Sequence, residues 1–528
     1  MPRLLHEIVD ESAARAPDAE AFRFSDSALT YAGLAERSAR LAHVLAAEGV
    51  RPGDRVGVYL RKGLETAVAV YGILRAGAAF VPLDPKLPPA RLGAVLRDAG
   101  VGHVVSHDAL RAQLLALGAE APAGLRLVGP EAADLEAAGL ETISWAEVDA
   151  APASGPLVTW DAGDMAYLMY TSGSTGLPKG IVHTHASGLA YARCAADVYG
   201  LDPRDRISGF APLHFDQSTF DLFAGPLAGA TAVVVPEPHM MMPASLAALI
   251  EAERLTVWYS VPYALTQLLL RGALDTRDLT ALRWVLYGGE AFPMKHLRAL
   301  MARWPHARFS NVYGPAEVNQ CTVHHLDAPP SPDAEAVPIG PAWPAATCRV
   351  LDGEAPAAPG VPGELAVATP TMMEGYWNRP DLNARVFVRL GGDPRLGGER
   401  FYRTGDLVRE APDGALWFLG RMDRQVKVRG HRVELDEVEA VLVQHPAVAE
   451  AAVYAVDAAD GARAVHAAVS LRPEADPPTA ADLLAHARAH LPPYALPARL
   501  DVAEAFPRTT SGKIDRRALQ TEAALPTP

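Results

Sequence analysis

The stretch Tyr167-Leu-Met-Tyr-Thr-Ser-Gly-Ser-Thr-Gly-Leu-Pro-Lys-Gly180 decides the reading of this chain. A short apolar run, read as a buried strand, passes into Thr171, Ser172, Gly173, Ser174, Thr175 and Gly176, then into Lys179 and Gly180. Glycines let backbone N–H groups approach an anion, hydroxyls add donors and the lysine adds charge, a set suited to a polyphosphate. A Walker A loop needs Gly-x4-Gly-Lys-[Ser/Thr]; here the residue after the four that follow Gly173 is Pro178, so that reading fails. A flexible Ser/Gly linker would need no buried strand before it.

Outward from this loop, the chain alternates strand and helix signals. Leu4 to Arg15, Tyr31 to Glu48 and Leu64 to Ala76 carry apolar residues at helical spacing. Arg55–Leu60, Ala79–Leu83, Val101–Val105, Ile207–Phe210, Ala232–Val235, Val257–Ser260 and Trp284–Leu286 read as short buried strands. Such alternation predicts parallel sheets with helices on their faces. After about residue 345 the texture changes. Arg349–Leu351, Gly363–Val367, Arg403–Val408 and Ala415–Phe418 are close-spaced strands joined by Gly/Pro/Asp turns, as in a small antiparallel barrel or sheet. Beyond the charged segment Gly420 to Gly430 comes helix (Leu435 to Gln444), strand (Ala451 to Val456), strand (Ala464 to Leu471) and helix (Ala480 to Leu491). The expected architecture is therefore α/β. A large body, residues 1–422, combines parallel β/α layers with a small barrel, and a small α+β lid, residues 423–528, follows a domain boundary near Asp423.

Composition narrows the function. The 528 residues are 49% hydrophobic and 21% charged, with a net charge of −14. That balance is globular, and its acidity argues against nucleic acid or an anionic membrane as the main partner. Cys194, Cys321 and Cys348 are few, odd in number and widely spaced, which fits a reducing cytosol. The charged N-terminal segment does not read as a signal peptide, and no apolar run reaches membrane-spanning length. The expectation is a cytoplasmic protein with no membrane partner.

With the loop, further motifs follow in order: Leu29-Thr-Tyr31, Leu74 to Pro85, Asn311-Val-Tyr-Gly-Pro-Ala-Glu317, Gly363-Glu-Leu365 with Gly375-Tyr-Trp377, Tyr402-Arg-Thr-Gly-Asp406, Gly420 to Gly430 and Pro507-Arg-Thr-Thr-Ser-Gly-Lys513. Together they resemble the adenylate-forming enzymes (acyl-CoA synthetases, luciferases and the adenylation domains of nonribosomal peptide synthetases), over nearly the whole chain. The resemblance implies ATP as co-substrate and Mg²⁺ as cofactor: a carboxylate attacks the α-phosphate and pyrophosphate leaves. It implies Lys513 as the lysine bridging carboxylate and phosphate oxygens. Glu317 becomes a catalytic Mg²⁺ ligand, the loop Thr171 to Gly176 with Lys179 the phosphate site, and Asp406 the acceptor of the ribose hydroxyls. Arg421 would contact the same nucleotide, Tyr313 would stack on adenine and Asn311 would pair with its amine. Gly288, Gly289, Glu290 and Gly314 would lie beside the base. Asp423 would be the pivot between two half-reactions. Ala316 departs from the family's usual threonine.

The acid is read from His214-Phe-Asp-Gln-Ser-Thr-Phe-Asp-Leu222. In the resemblance Asp216 occupies the place where amino-acid-activating members pair an aspartate with the substrate ammonium. A helix N-cap is its ordinary alternative. Phe215, Gln217, Phe220, Tyr259, Leu286, Gly288, Val312, Gln320 and Cys321 complete the implied pocket. Asp216 is its only charge on the variable wall, so charged side chains are poor substrates. Leu255 to Tyr263 and the Tyr259/Leu286/Cys321 set look like freestanding ligases that load L-proline onto a carrier protein. Gln217 and Gln320 depart from that pattern and would suit a hydroxylated, amide or modified amino acid. The chain runs 15 residues past Lys513, so the phosphopantetheine-bearing carrier is expected to be a separate protein, and the ligase a monomer. An acyl- or aryl-CoA synthetase is the alternative, though it gives Asp216 no partner. Cys321-Thr-Val-His-His325 is too sparse for zinc, and His239 to Met242 reads as packing.

Overall fold

The computed structural model describes the chain except residues 132, 155–159, 174–177, 391–399, 458–462, 473–476, 509–513 and 524–528. Ser174, Thr175, Gly176 and Lys513 thus lie outside the described residues. The chain divides into two compact units: Met1–Pro85, Leu96–Met169 and Gly180–Met422 form one, and Lys86–Val95, Tyr170–Lys179 and Asp423–Pro528 the other.

The first unit is built on two eight-stranded sheets. In one, the strands run in the order Thr322–Leu326, Arg308–Tyr313, Trp284–Gly288, Val257–Ser260, Arg206–Gly209, Thr231–Val234, Glu20–Phe24 and Ser27–Thr30. Its six inner strands are parallel and the two edge strands antiparallel. In the other, Gly375–Tyr376, Lys179–Thr184, Met165–Thr171, Ala79–Pro82, Arg55–Val58, His103–Val105, Arg126–Gly129 and Glu141–Ser144 follow one another. Parallel strands covered on both faces must be apolar along their length. Ala79–Pro82 and Val257–Ser260 are accordingly buried at every position.

Helix Leu64–Ala76 is apolar nearly all round, and the core encloses it. Gly77, at φ +91°, ends it in the left-handed conformation that glycine adopts without strain. A third, six-stranded antiparallel array carries the long strand Arg400–Glu410, which pairs with Gly363–Ala368, Phe387–Arg389 and Leu416–Arg421.

The main segment of the second unit opens with the hairpin Gln425–Val428/His431–Glu434. Helix Leu435–Val443 follows, then the sheet of Val448–Asp457, Arg463–Leu471 and Arg499–Val502. Val438, Val441 and Leu442 of the helix join Val453, Val465 and Val469 of the sheet in one core.

The α/β architecture matches the sequence reading. Helix Leu64–Ala76 and strand Val257–Ser260 have the expected ends. The reading did not identify the hairpin Glu20–Phe24/Ser27–Thr30, whose turn places Ser25 at φ +52°. The first helix starts at Glu7 rather than Leu4, and the last described helix, Arg516–Ala523, starts beyond Lys513. Among the described residues, no helix is long and apolar enough to cross a membrane.

Candidate active site

Three neighbouring parallel strands set the first part of the site in register, pairing Tyr259 with Leu286, Tyr287 with Asn311 and Gly288 with Val312. Ligands of open α/β sheets bind at the carboxyl ends of such strands. Gly288 stands so close to the next strand that a Cβ would lie 2.3 Å from the Val312 carbonyl oxygen, so glycine is required there. Gly289 follows at φ +93°, and Glu290 Oε1 accepts the Tyr263 N–H at 3.0 Å. Asn311 Nδ2 donates to the Pro338 carbonyl at 2.9 Å, which orients its Oδ1 as an acceptor.

At the end of the Arg308–Tyr313 strand, just before Gly314, the Tyr313 hydroxyl donates to Asp406. Arg421, the cross-strand partner of Asp406, donates from Nη1 to Asp406 Oδ1 at 2.8 Å and to the Thr404 carbonyl at 3.0 Å. Burial, then the Asp406 charge, push the Tyr313 pKa well up, so its hydroxyl remains a donor.

Glu317 is 0% exposed, and its Oε1 accepts the Tyr376 hydroxyl at 2.7 Å; that hydroxyl lies 3.2 Å from the Tyr402 hydroxyl. Tyr376 and Tyr402 stand inside the ordered motifs, but the sequence alone gave them no role. Among the described residues no group of three or more His, Cys, Asp or Glu could hold a metal by itself. A lone buried carboxylate fits Mg²⁺ that takes its other ligands from phosphate and water. Beside it, His183 Nε2 lies 2.9 Å from the Ala316 carbonyl, Nδ1 lies 3.2 Å from Ser187 Oγ, and the ring stacks on Tyr167 at 4.8 Å. Nothing in the sequence pattern marked His183. Burial lowers its pKa from 6.5 to about 4.

The neutral ring therefore stabilises the fold fully above pH 6.5, and that contribution is lost as pH falls towards 4. Between pH 7 and 5 the loss from this group is about 2 kcal/mol. Urea unfolding of wild type and His183→Gln at both pH values checks it: the wild type should lose that much more than the variant.

The third part is the turn before Phe220. Ser218 Oγ donates to the Leu213 and Phe215 carbonyls at 3.1 and 2.7 Å, and Thr219 Oγ1 donates to the Asp216 carbonyl at 2.6 Å. Asn319 Nδ2 donates to Thr219 Oγ1 at 3.0 Å. Asp216 Oδ1 accepts the Gln217 N–H at 3.0 Å, and Thr219, not Asp216, precedes the π-helical turn Phe220–Ala224. The Asp216 charge contributes to the raised pKa values of buried Tyr167, Tyr191 and Tyr259, behind burial in each case. Phe220 meets Tyr259 edge-on at 5.5 Å, and Leu286, Val312 and Cys321 are buried. The Phe215 ring lies 4.9 Å from that of His214.

Of the loop, Thr171, Ser172, Gly173 and Lys179 are described, within the second unit. There Ser172 Oγ donates to the Arg432 carbonyl at 3.2 Å. Asp423 Oδ1 accepts the Gln425 N–H at 3.1 Å.

The profile of the AMP-binding enzyme family matches residues 9–377, and that of the AMP-binding enzyme C-terminal domain matches residues 437–513. The chain belongs to the AMP-binding enzymes. It is 36% identical over 523 residues to an L-proline--[L-prolyl-carrier protein] ligase of Pseudomonas fluorescens, covering 98% of this chain and 99% of that one. It is also 34% identical over 523 residues to tyrocidine synthase 3 of Brevibacillus parabrevis, covering 98% of this chain but only 8% of that protein's length. The solved structure of the amide bond synthetase McbA from Marinactinospora thermotolerans superposes with a TM-score of 0.86 at 26% identity, over 98% of this chain and 99% of that one.

Proposed function

We propose that the chain activates a small neutral amino acid with ATP and passes it to the phosphopantetheine thiol of a separate carrier protein. A substrate carboxylate oxygen attacks the α-phosphorus, the bond to the β-phosphate breaks, and pyrophosphate leaves. The carrier thiolate then attacks the acyl carbonyl and AMP departs. One observation carries the reading: a turn knit by the Ser218 and Thr219 hydroxyls presents the Asp216 carboxylate where its charge helps raise the pKa values of buried Tyr167, Tyr191 and Tyr259, a negative charge that a substrate ammonium would complement. The near full-length likeness to an L-proline--[L-prolyl-carrier protein] ligase supports it and makes L-proline the first candidate.

The residues take these roles. Asp406, aligned by Arg421 and Tyr313, accepts the ribose hydroxyls; Asn311 Oδ1 accepts the adenine amine, and the Tyr313 ring faces the base beside Gly288, Gly289, Glu290 and Gly314. Thr171 to Gly176 and Lys179 hold the phosphates. Mg²⁺, when bound, neutralises phosphate charge, and Glu317, fixed by Tyr376, would hold it. Lys513 stabilises the charge that builds on the reacting oxygens. Residues 1–422 form the large domain and 423–528 the lid, with Asp423 as pivot. We place the enzyme in the cytoplasm as a monomer.

Asp406→Asn keeps the shape but weakens acceptance of the ribose hydroxyls, so the KM for ATP should rise about tenfold or more with the amino-acid KM little changed. Steady-state exchange kinetics check this. With a phosphopantetheinylated carrier protein, ATP and L-proline, the intact mass of the carrier should rise by one aminoacyl unit. Transfer to coenzyme A in place of the carrier would contradict the reading.

A further inference from the structure

Gln320, one of the pocket positions that the family resemblance implies, has no task in the proposed chemistry. It is 2% exposed. Its Nε2 donates to the Tyr199 hydroxyl at 3.2 Å, while its Oε1 is buried with no hydrogen-bond partner among the described residues. Tyr199 ends helix His185–Tyr199 and meets Phe220 edge-on at 5.8 Å. Phe220 in turn meets Tyr259 edge-on at 5.5 Å. One end of the Gln320 amide is thus spent on Tyr199, which packs through Phe220 onto Tyr259, and the other end is buried and unpartnered among the described residues. A buried polar group built to be hydrogen-bonded disfavours any ligand that leaves it unpaired.

Resting on the amino-acid reading above, we propose that Gln320 selects a small neutral amino acid whose side chain carries a hydroxyl, with Tyr199 as the residue that positions the amide. A hydroxyl both donates and accepts, so it pairs with either end of an amide. A bare ring or methyl group pairs with neither. Tyr199 lies outside the pocket positions read from the sequence, and its ring, packed edge-on against Phe220 and Trp284, fixes the hydroxyl to which Gln320 donates. L-Proline itself then becomes a poorer substrate than its hydroxylated counterpart.

The test is ATP–pyrophosphate exchange by the full chain with matched pairs: L-proline and 4-hydroxy-L-proline, alanine and serine, valine and threonine. For the best pair, wild type should favour the hydroxylated member roughly tenfold or more in kcat/KM. Gln320→Leu keeps the volume and removes the amide, so the ratio should fall to about one or invert because activity on the bare member rises. A misfolded variant cannot show that gain. Tyr199→Phe should lower the ratio part of the way without moving the KM for ATP. Equal or reversed preference in wild type, as when a water serves the amide, overturns the proposal, and so does a ratio unchanged in Gln320→Leu. Either result leaves the amino-acid reading intact, whereas silence with every amino acid overturns both.

Discussion

Lys513→Ala is expected to lower amino-acid-dependent ATP–pyrophosphate exchange by about 10²–10³-fold, with an unchanged far-UV circular dichroism spectrum. The lysine lies in Pro507-Arg-Thr-Thr-Ser-Gly-Lys513, the last of the ordered motifs. In the proposed reaction, negative charge from the attacking carboxylate meets the charge already on the α-phosphate. A compact ammonium with three donors placed between them acts on that charge as it concentrates in the transition state. Removing one preorganised donor of this kind costs about 3–4 kcal/mol elsewhere, which sets the magnitude. The loss should fall mainly on kcat, because ATP and amino acid keep their other contacts. Lys513→Arg preserves charge but not its compact placement, and should recover only part of the rate. Exchange near the wild-type rate in Lys513→Ala would remove the residue from the chemistry.

Asp216→Ala is expected to raise the amino-acid KM by about 10²-fold or more while the KM for ATP stays within about twofold, since truncating one partner of an enclosed charge pair costs roughly 2–5 kcal/mol. The turn that presents Asp216 loses the Gln217 N–H bond to the carboxylate on substitution but keeps the bonds made by Ser218, Thr219 and Asn319. The backbone should therefore survive the substitution. Cyclopentanecarboxylate, the carbocyclic analogue of L-proline with a methylene in place of the ring nitrogen, separates the charge from the shape. It should be a very poor substrate for wild type and should lose much less than L-proline in the variant. Equal losses for both acids would mean that Asp216 supports the turn and does not meet an ammonium.

The sequence carried more of the fold than of the contacts within the site. Leu64–Ala76 was legible because an uninterrupted apolar helical run lies between Gly63 and Gly77. Arg308–Tyr313 was not read as a strand, because Arg308, Ser310 and Asn311 break its apolar pattern although Phe309, Ser310 and Val312 are buried. The ordered motifs located Asp406, Arg421, Tyr313 and Glu317, and the structure brings Asp406, Arg421 and Tyr313 together. It also adds what spacing cannot report. Tyr376 reaches Glu317 from 59 positions away, and Tyr199 reaches Gln320 from 121. His183 is marked only by its burial and its neutral ring. These residues act through packing between distant segments, and no local pattern encodes it.

Whether this AMP-binding enzyme activates an amino acid is decided by ATP–pyrophosphate exchange. The assay should cover the neutral amino acids with hydroxylated and β-amino acids, set beside aryl and fatty acids. Strong exchange is expected with one or a few small neutral amino acids and none with acids that lack an ammonium. Exchange with aryl or fatty acids alone would contradict it and put an acyl- or aryl-CoA synthetase in its place.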